Sequence, residues 1–327
     1  MLKFVGRRVL WLIPVMLGAI FIVFAINAID PGDPVSALLG GSYTQEQYDD
    51  KKIELGLDKP FIVRYAGYVK DIVTDGDFGT SYTTKRPVST ELVERFGVTF
   101  KVAVISILIA IVLGLPFGII SAVKQYSIAD NAVTIISLVF ASMPGFWLAL
   151  MLMLAFALNI KIFPASGIEG WKSWVLPCLA SGLSFIATIT RMTRSSMLDV
   201  VRQDYIRTAR AKGLDERTVI VKHGVRNALI PIITTIGFQF GILVSGSVIV
   251  ETIFSLPGLG TLMMTAINNR DYPVIEGCVI IMAALICVIN LLVDLVYGFV
   301  DPQIMEQMKG SKKARRARHK TMGAHAL

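Results

Sequence analysis

Residues 102–123 read VAVISILIAIVLGLPFGIISAV, 22 positions without a charge. A helix rises 1.5 Å per residue, so about 20 apolar residues cross the roughly 30 Å hydrocarbon core of a bilayer. Working outward, the same reading applies to residues 9–29, 131–160 and 228–250, each with at least 21 uncharged positions. The 131–160 run is long enough to tilt, or to bend near Pro144. Residues 175–190 are short, but Trp171 and Trp174 before them suit a membrane interface. Residues 277–293 continue past Asp294 to Val300. These runs predict an all-α integral membrane protein with six transmembrane helices. They are continuous rather than alternating, which excludes a β-barrel.

The composition agrees. The chain has 327 residues, 54 % of them hydrophobic and only 17 % charged, with a mean hydropathy of +0.63. A soluble domain carries about 25 % charged residues. Disorder, collagen-like repeats and a disulfide scaffold are excluded in turn, the last because there are only three Cys. Cys178, Cys278 and Cys287 lie in apolar stretches and read as small buried hydrophobes. The net charge of +8 would suggest nucleic acid in a soluble protein, but no aromatic platform accompanies it. The location of the charge decides. Segment 30–97 has 12 acidic against eight basic residues, whereas 191–226 has nine basic against four acidic. Lys3, Arg7 and Arg8 open the chain, and seven basic residues fill 309–320. The positive-inside rule then puts both termini and 191–226 in the cytoplasm. It puts 30–97, the 161–174 loop and the region around 255–275 outside.

The predicted organisation is a cytoplasmic N-terminus and first helix (1–29), an extracytoplasmic helical segment (30–97), a five-helix core (98–300) with a cytoplasmic loop at 191–226, and a basic cytoplasmic tail (301–327). The first helix resembles a signal peptide in its basic start. Its apolar run exceeds the 7–15 residues of such a signal, so it is expected to be retained. In segment 30–97, Thr44 and Gln47 have capping-box spacing, Gly56 suits the helix stop, and Pro60 bars easy continuation. Phe61, Tyr65, Tyr68, Val69 and Ile72 then share one face of a second short helix. This segment is either a docking surface for an external partner or a folded cover.

Residues 204–227 read DYIRTARAKGLDERTVIVKHGVRN. Tyr205 to Lys212 suits a short helix that Gly213 ends. Asp215 suits the cap of a second helix running to Val221 or His223. Ala209 and Ala211 are thin spots where another backbone can approach, ringed by Arg207, Arg210, Lys212 and Arg217. A docking element for a cytoplasmic protein and a juxtamembrane lipid contact both fit.

The run Arg207-Thr208-Ala209-Arg210-Ala211-Lys212-Gly213-Leu214, followed by Arg226-Asn227-Ala228-Leu229-Ile230-Pro231, resembles the coupling loop of permease subunits of binding-protein-dependent ATP-binding-cassette importers. The oligopeptide/dipeptide/nickel branch is the best match. Gly76-Asp77-Phe78-Gly79 with Ser81 resembles that branch's external motif. Ser142-Met143-Pro144 with Phe146 and Trp147 resembles its third helix, and Phe163-Pro164-Ala165-Ser166-Gly167 its next external loop. Phe254-Ser255-Leu256-Pro257-Gly258-Leu259-Gly260 and Arg270-Asp271-Tyr272-Pro273 resemble the re-entrant stretch before its last helix, and Asp301-Pro302 its ending. The general importer motif begins with Glu, where Arg207 stands here, and its later apolar-Pro signature is absent. The Thr-Ala-Arg-Ala-Lys-Gly form is that of the peptide branch.

The resemblance implies a multi-pass protein of a bacterial-type cytoplasmic (inner) membrane. It implies half of a translocation pathway for oligopeptides or dipeptides, with nickel chelates or glutathione as alternative cargo. A second homologous permease, two cytoplasmic ATPase subunits and an extracytoplasmic substrate-binding protein would complete the assembly. ATP and Mg would sit on the ATPases, with no cofactor on this chain. Tyr205, Arg207, Thr208, Ala209, Arg210, Ala211, Lys212, Gly213 and Leu214 would couple to an ATPase. Ala209→Trp would then uncouple transport by clashing with it.

The sequence agrees in what it lacks. It has no phosphate-binding G-x-x-x-x-G-K-[ST], no metal-ligand spacing and no nucleophile elbow, so no enzyme activity is expected. Pro116, Pro144, Glu251, Pro257 and Gly258 are candidate gate or path residues. Glu251 is expected at the outer end of the fifth span, where a charge is cheap. The stretch around Pro116 reads either as a kink or as close helix packing between Gly114 and Gly118. Asp294 reads as an ion pair with a loop Arg or as a proton-coupling group. The latter would suit a single-chain secondary transporter, but no repeat with matching broken segments supports that class. The tail 309–320 reads as an orientation signal or a contact with anionic membrane lipid.

Overall fold

The computed structural model describes residues 2–29 and 32–300. Leu2–Ile29 (α1) leads through two short helices, Pro34–Leu39 (α2) and Gln45–Glu54 (α3), to Phe61–Asp75 (α4). Val88–Val123 (α5) follows, then Ile128–Ser142 (α6) and Gly145–Leu152 (α7). Val175–Val201 (α8), Asp204–Ala211 (α9) and Glu216–Thr218 (α10) lead to Arg226–Gly246 (α11). Val248–Ile253 (α12), Leu259–Asn269 (α13) and Tyr272–Val300 (α14) complete the fold. Among the described residues five helices are long and apolar enough to cross a membrane. The count is six if α6 and the helical stretch Gly145–Asn159, which α7 begins and which meets α6 at 98°, are taken as one bent span. Pro144 makes that break: it stands at the N-cap of α7 with φ −59° and ψ 135°, and the residue before a proline avoids helical angles.

α5 and α8 form the centre of the bundle and run in the same direction. Val102 meets Cys178, Gly114 meets Ile189, and Gly118 meets Thr193. A Cβ on Gly118 would lie 2.4 Å from that of Thr193, and one on Gly182 would lie 2.8 Å from the Ser106 carbonyl. Small residues thus bring the two helices together, as membrane helices require when no hydrophobic force separates them from lipid. Pro116 sits on the opposite, exposed face of an unbroken α5. Close packing, rather than a kink, accounts for the glycines on either side of it.

α5, α8 and α14 run one way, and α1 and α11 the other. One end of the bundle therefore carries α2–α4, the 76–87 loop and α12–α13; we call it the cap end. The other, the basic end, carries α9 and α10. α1 lies along α14, with Asn27 donating to Glu276 at 2.9 Å near the cap end and Arg8 paired with Asp294 at 2.9 Å near the basic end. Asp294 is thus held by the first helix rather than by a loop Arg. On the cap, Thr44 and Gln47 form the expected reciprocal box at the start of α3. Phe61, Tyr65, Tyr68, Val69 and Ile72 of α4 pack as one face against Ile20 and Phe24 of α1.

Two helices extend further than charge patterning indicates. α5 begins at Val88, ten residues before the predicted core boundary at 98. Its charges are absorbed locally: buried Glu91 accepts a hydrogen bond from Thr84, and Glu94 pairs with Arg86. Most of 191–226 is helical too. α8 runs on through Arg191 and Arg194 to Val201, and the chain from Glu216 is continuous with α11 through a π-helical turn at Val219–Val225. Asp215 caps that helix as expected, accepting from the Thr218 N–H at 2.9 Å. Its Thr218 partners hold the Asp215 carboxyl below the usual carboxylate range. The helix does not stop at Val221 or His223, however; it becomes the fifth span. Asp301-Pro302 and the basic tail 309–320 lie outside the described residues.

Candidate coupling surface and the carboxylate-held loops

At the basic end α9 is amphipathic over only eight residues. Ile206 and Ala209, three apart on one face, are buried against Val219 and Val200. Gly213, at φ +78°, takes the left-handed turn that lets the chain double back. Across that turn Arg210 grips Glu216 through two nitrogens, at 3.0 and 2.7 Å; the adjacent carboxylate raises the guanidinium pKa further. Tyr205, Arg207, Thr208, Ala211, Lys212 and Leu214 are exposed. The sequence-predicted set is therefore brought together as one surface, with one exception. Ala209 faces inward and packs the helix onto its neighbours, so the outward thin spot is Ala211. Helical phase carried that signal, since Ile206 and Ala209 share a face that Arg207 and Ala211 do not.

At the cap end Glu251 is not a surface charge. It is fully buried and accepts from the hydroxyls of Thr99 at 2.7 Å and Ser247 at 2.6 Å. It also accepts from the N–H groups of Gly260 at 2.8 Å and Thr261 at 3.1 Å. Those two N–H groups open α13, where the helix dipole favours a negative group. The Leu259 N–H, in turn, donates to Thr99 at 2.8 Å. One carboxylate thus ties α5, α12 and α13 together. The close packing around it requires glycine at two positions: a Cβ on Gly258 would lie 2.4 Å from the Glu251 carboxyl, and one on Gly260 would lie 2.6 Å from the Val248 Cα. Pro257 and Gly258 form the turn itself, next to this clamp.

A second clamp went unrecognised in the sequence. Asp271, buried, accepts from Ser81 Oγ at 2.6 Å and from the N–H groups of Tyr82 and Thr83, each at 3.0 Å. It joins two motifs that the sequence shows only separately, Gly76–Ser81 and Arg270–Pro273. Burial, with the Glu276 and Asp271 carboxylates nearby, raises the Tyr82 phenol above its ordinary range. The Phe163–Gly167 motif likewise meets Phe254–Gly260, with the Gly167 N–H donating to the Phe254 carbonyl at 3.3 Å. A third unrecognised group is the pair Asp130–Arg194, 2.9 Å apart and shared with Ser121. Among the described residues no group of His, Cys, Asp and Glu could hold a metal ion.

Comparison with known proteins places this architecture. Residues 114–306 match the family described as binding-protein-dependent transport system inner membrane component, and residues 1–103 match its N-terminal companion. The dipeptide transport system permease protein DppB of Alkalihalophilus pseudofirmus is 41 % identical over 332 residues, covering 93 % of this chain and 99 % of that protein. DppB of Escherichia coli K12 is 38 % identical with the same coverage. The glutathione transport system permease protein GsiC of Salmonella typhimurium is also 38 % identical, over 304 residues, covering 93 % and 99 %. The inward-facing MetNI methionine ABC transporter shares the fold, with a TM-score of 0.56 at 20 % identity over 65 % of this chain and 97 % of that one. The chain belongs to the binding-protein-dependent transport system inner membrane component family, as a multi-pass transport permease of the oligopeptide/dipeptide branch.

Proposed function

We propose that this chain forms half of the pathway through which an ATP-driven importer moves dipeptides or oligopeptides into the cell. A second homologous permease completes the pathway, two cytoplasmic ATPases drive it, and an external binding protein delivers the peptide. The basic end faces the cytoplasm, in keeping with its nine basic against four acidic residues in 191–226. The cap, residues 30–97, and the core, residues 98–300, face the binding protein and the partner permease.

The observation that carries this reading is the mounting of α9. Its outer face presents Tyr205, Arg207, Thr208, Ala211 and Lys212, and its inner face is locked by Ile206 and Ala209 onto helices continuous with the fourth and fifth spans. ATP binding closes the ATPase pair, and α9, seated in an ATPase cleft, moves with it. Because Val200 belongs to α8 and Val219 leads into α11, that movement reaches both spans without a flexible joint. Arg207 and Lys212 steer docking by charge, while Ala211 and Gly213 permit close approach. Around Pro144 the third span turns by 98°, and Glu251, Pro257 and Gly258 hold the opposite end of the passage.

Purified permeases, ATPases and binding protein reconstituted in vesicles test this directly. Peptide uptake should require ATP and should disappear without the binding protein. Uptake that persists without the ATPases would defeat the reading. Glutathione, itself a modified tripeptide, is the second cargo to assay, because GsiC is as similar to this chain as the Escherichia coli DppB is.

A further inference from the structure

Between α6 and α8, in the half of the bundle nearer the basic end, lies a cavity of about 550 Å³, within the 300–1,000 Å³ range of small-molecule sites. Its walls are unlike the rest of the spans. On α6, Asn131, Thr134 and Ser137 follow at i, i+3 and i+6; on α8, Arg191 and Ser195 follow at i and i+4, with Arg202 just past its end at i+11. Each set forms one polar stripe, and the two stripes face each other. The opposite side of α6 is apolar and exposed at Ile128, Ile135 and Val139.

The cavity holds unspent hydrogen-bonding and charge. Ser137 is 2 % exposed and its hydroxyl has no protein partner; a buried hydroxyl without a partner is costly unless a ligand supplies one. Arg194 is committed to Asp130. Among the described residues Arg191 and Arg202 have no carboxylate partner, and neither does Asp199, which lines the same cavity. Arg191 and Asp199 are eight residues apart, about 12 Å along the helix. A ligand that satisfies this wall carries a carboxylate, a separate cationic group and neutral amides between them.

We propose that this cavity is a way-station for the peptide cargo, with its carboxylate on Arg191, its amide against Ser137 and Thr134 and, in peptides of three or four residues, its ammonium toward Asp199. The proposal rests on the peptide-import reading and deepens it by naming where this chain touches the cargo. Arg191 is exposed and serves no fold contact, so it can be changed without unfolding the bundle.

The test uses the complete transporter in phosphatidylethanolamine-containing vesicles, with a photoreactive side chain in place of Thr134 and a radiolabelled dipeptide. During turnover the dipeptide should label this chain, and excess unlabelled dipeptide should compete. Arg191→Ala should cut labelling and uptake per ATP about tenfold, as expected for losing one charged hydrogen bond. Arg191→Lys should keep most of both, and the melting temperature should stay unchanged in each variant. Uptake by the parent transporter with no labelling at Thr134, or labelling of phospholipid alone, overturns the way-station and leaves peptide import standing. Absence of peptide uptake by the parent transporter overturns both.

Discussion

The cap loops and α9 are held in place by opposite means, although a buried carboxylate, Asp130, also fastens α6 to α8 toward the basic end. At the cap end, buried carboxylates do the fastening: Glu251 gathers α5, α12 and α13, and Asp271 gathers the 81–83 loop. Each accepts several donors: four for Glu251 and three for Asp271. At the basic end, α9 is held by Ile206 and Ala209 packed on Val200 and Val219, and by an exposed ion pair. Exposed pairs contribute little, about 0–1 kcal/mol. The difference fits a device whose cap end keeps a set shape while its basic end is gripped and displaced from outside. The comparison predicts that losing a buried carboxylate of the cap costs more than losing the exposed pair at α9.

The largest effect should come from Glu251→Ala. It strands the Thr99 and Ser247 hydroxyls and the Gly260 and Thr261 N–H groups in a dry site, and unsatisfied buried groups cost about 1–3 kcal/mol each, not additively. A loss of about 3 kcal/mol or more is expected, read as a large fall in melting temperature of the purified protein. An unchanged melting temperature would remove Glu251 from the scaffold. Gly260→Val comes next. Its Cβ would lie 2.6 Å from the Val248 Cα, a backbone atom that cannot swing aside, and overpacking costs about 1–3 kcal/mol. A folded Gly260→Val protein of parental stability would show that α12 and α13 move apart easily.

Asp271→Asn should cost less, about 1–2 kcal/mol, because it keeps one acceptor oxygen for Ser81 or the loop N–H groups. Its signature is local: faster amide exchange confined to residues 79–87, with α5 still protected. Exchange that rises equally throughout the bundle would mean that Asp271 supports the whole fold rather than its loop.

What was legible in the sequence divides along the same line. Spans, capping box and the apolar face of α4 are local signals with a period of 3.6 or a spacing of three, and they could be read from neighbours in the chain. The role of Glu251 could not, because its Thr99 partner is 152 positions away. The Asp271 clamp spans 190 positions, although both motifs it joins were visible as motifs. Charges also misled. Glu91, Glu94, Arg191 and Arg194 looked like the ends of helices, yet each sits within one because a partner or a polar cavity receives it. Ala209 was misread for a different reason. Its size suggested close approach by another protein, whereas its phase with Ile206 assigns that approach to the protein's own Val200 and Val219.

That last point yields the sharpest contrast, between a packed position and the one with the smallest stability effect. Ala209→Trp forces an indole between α9, α8 and the start of the fifth span, so about 1–3 kcal/mol of stability should be lost. Ala211→Trp, two residues on, places the same indole in solvent, where surface changes fall within about 0.5 kcal/mol. Melting temperature should therefore fall for the first and hold for the second. Coupling should separate them the other way. With its ATPases present, the Ala211→Trp permease should fold, insert and bind lipid normally, yet hydrolysis should no longer drive uptake, because the indole fills the space a docked ATPase needs. If Ala211→Trp transports normally, the exposed face of α9 is not the ATPase contact. The handle would then have to be sought among the neighbouring exposed residues, with Tyr205 and Leu214 the first to examine.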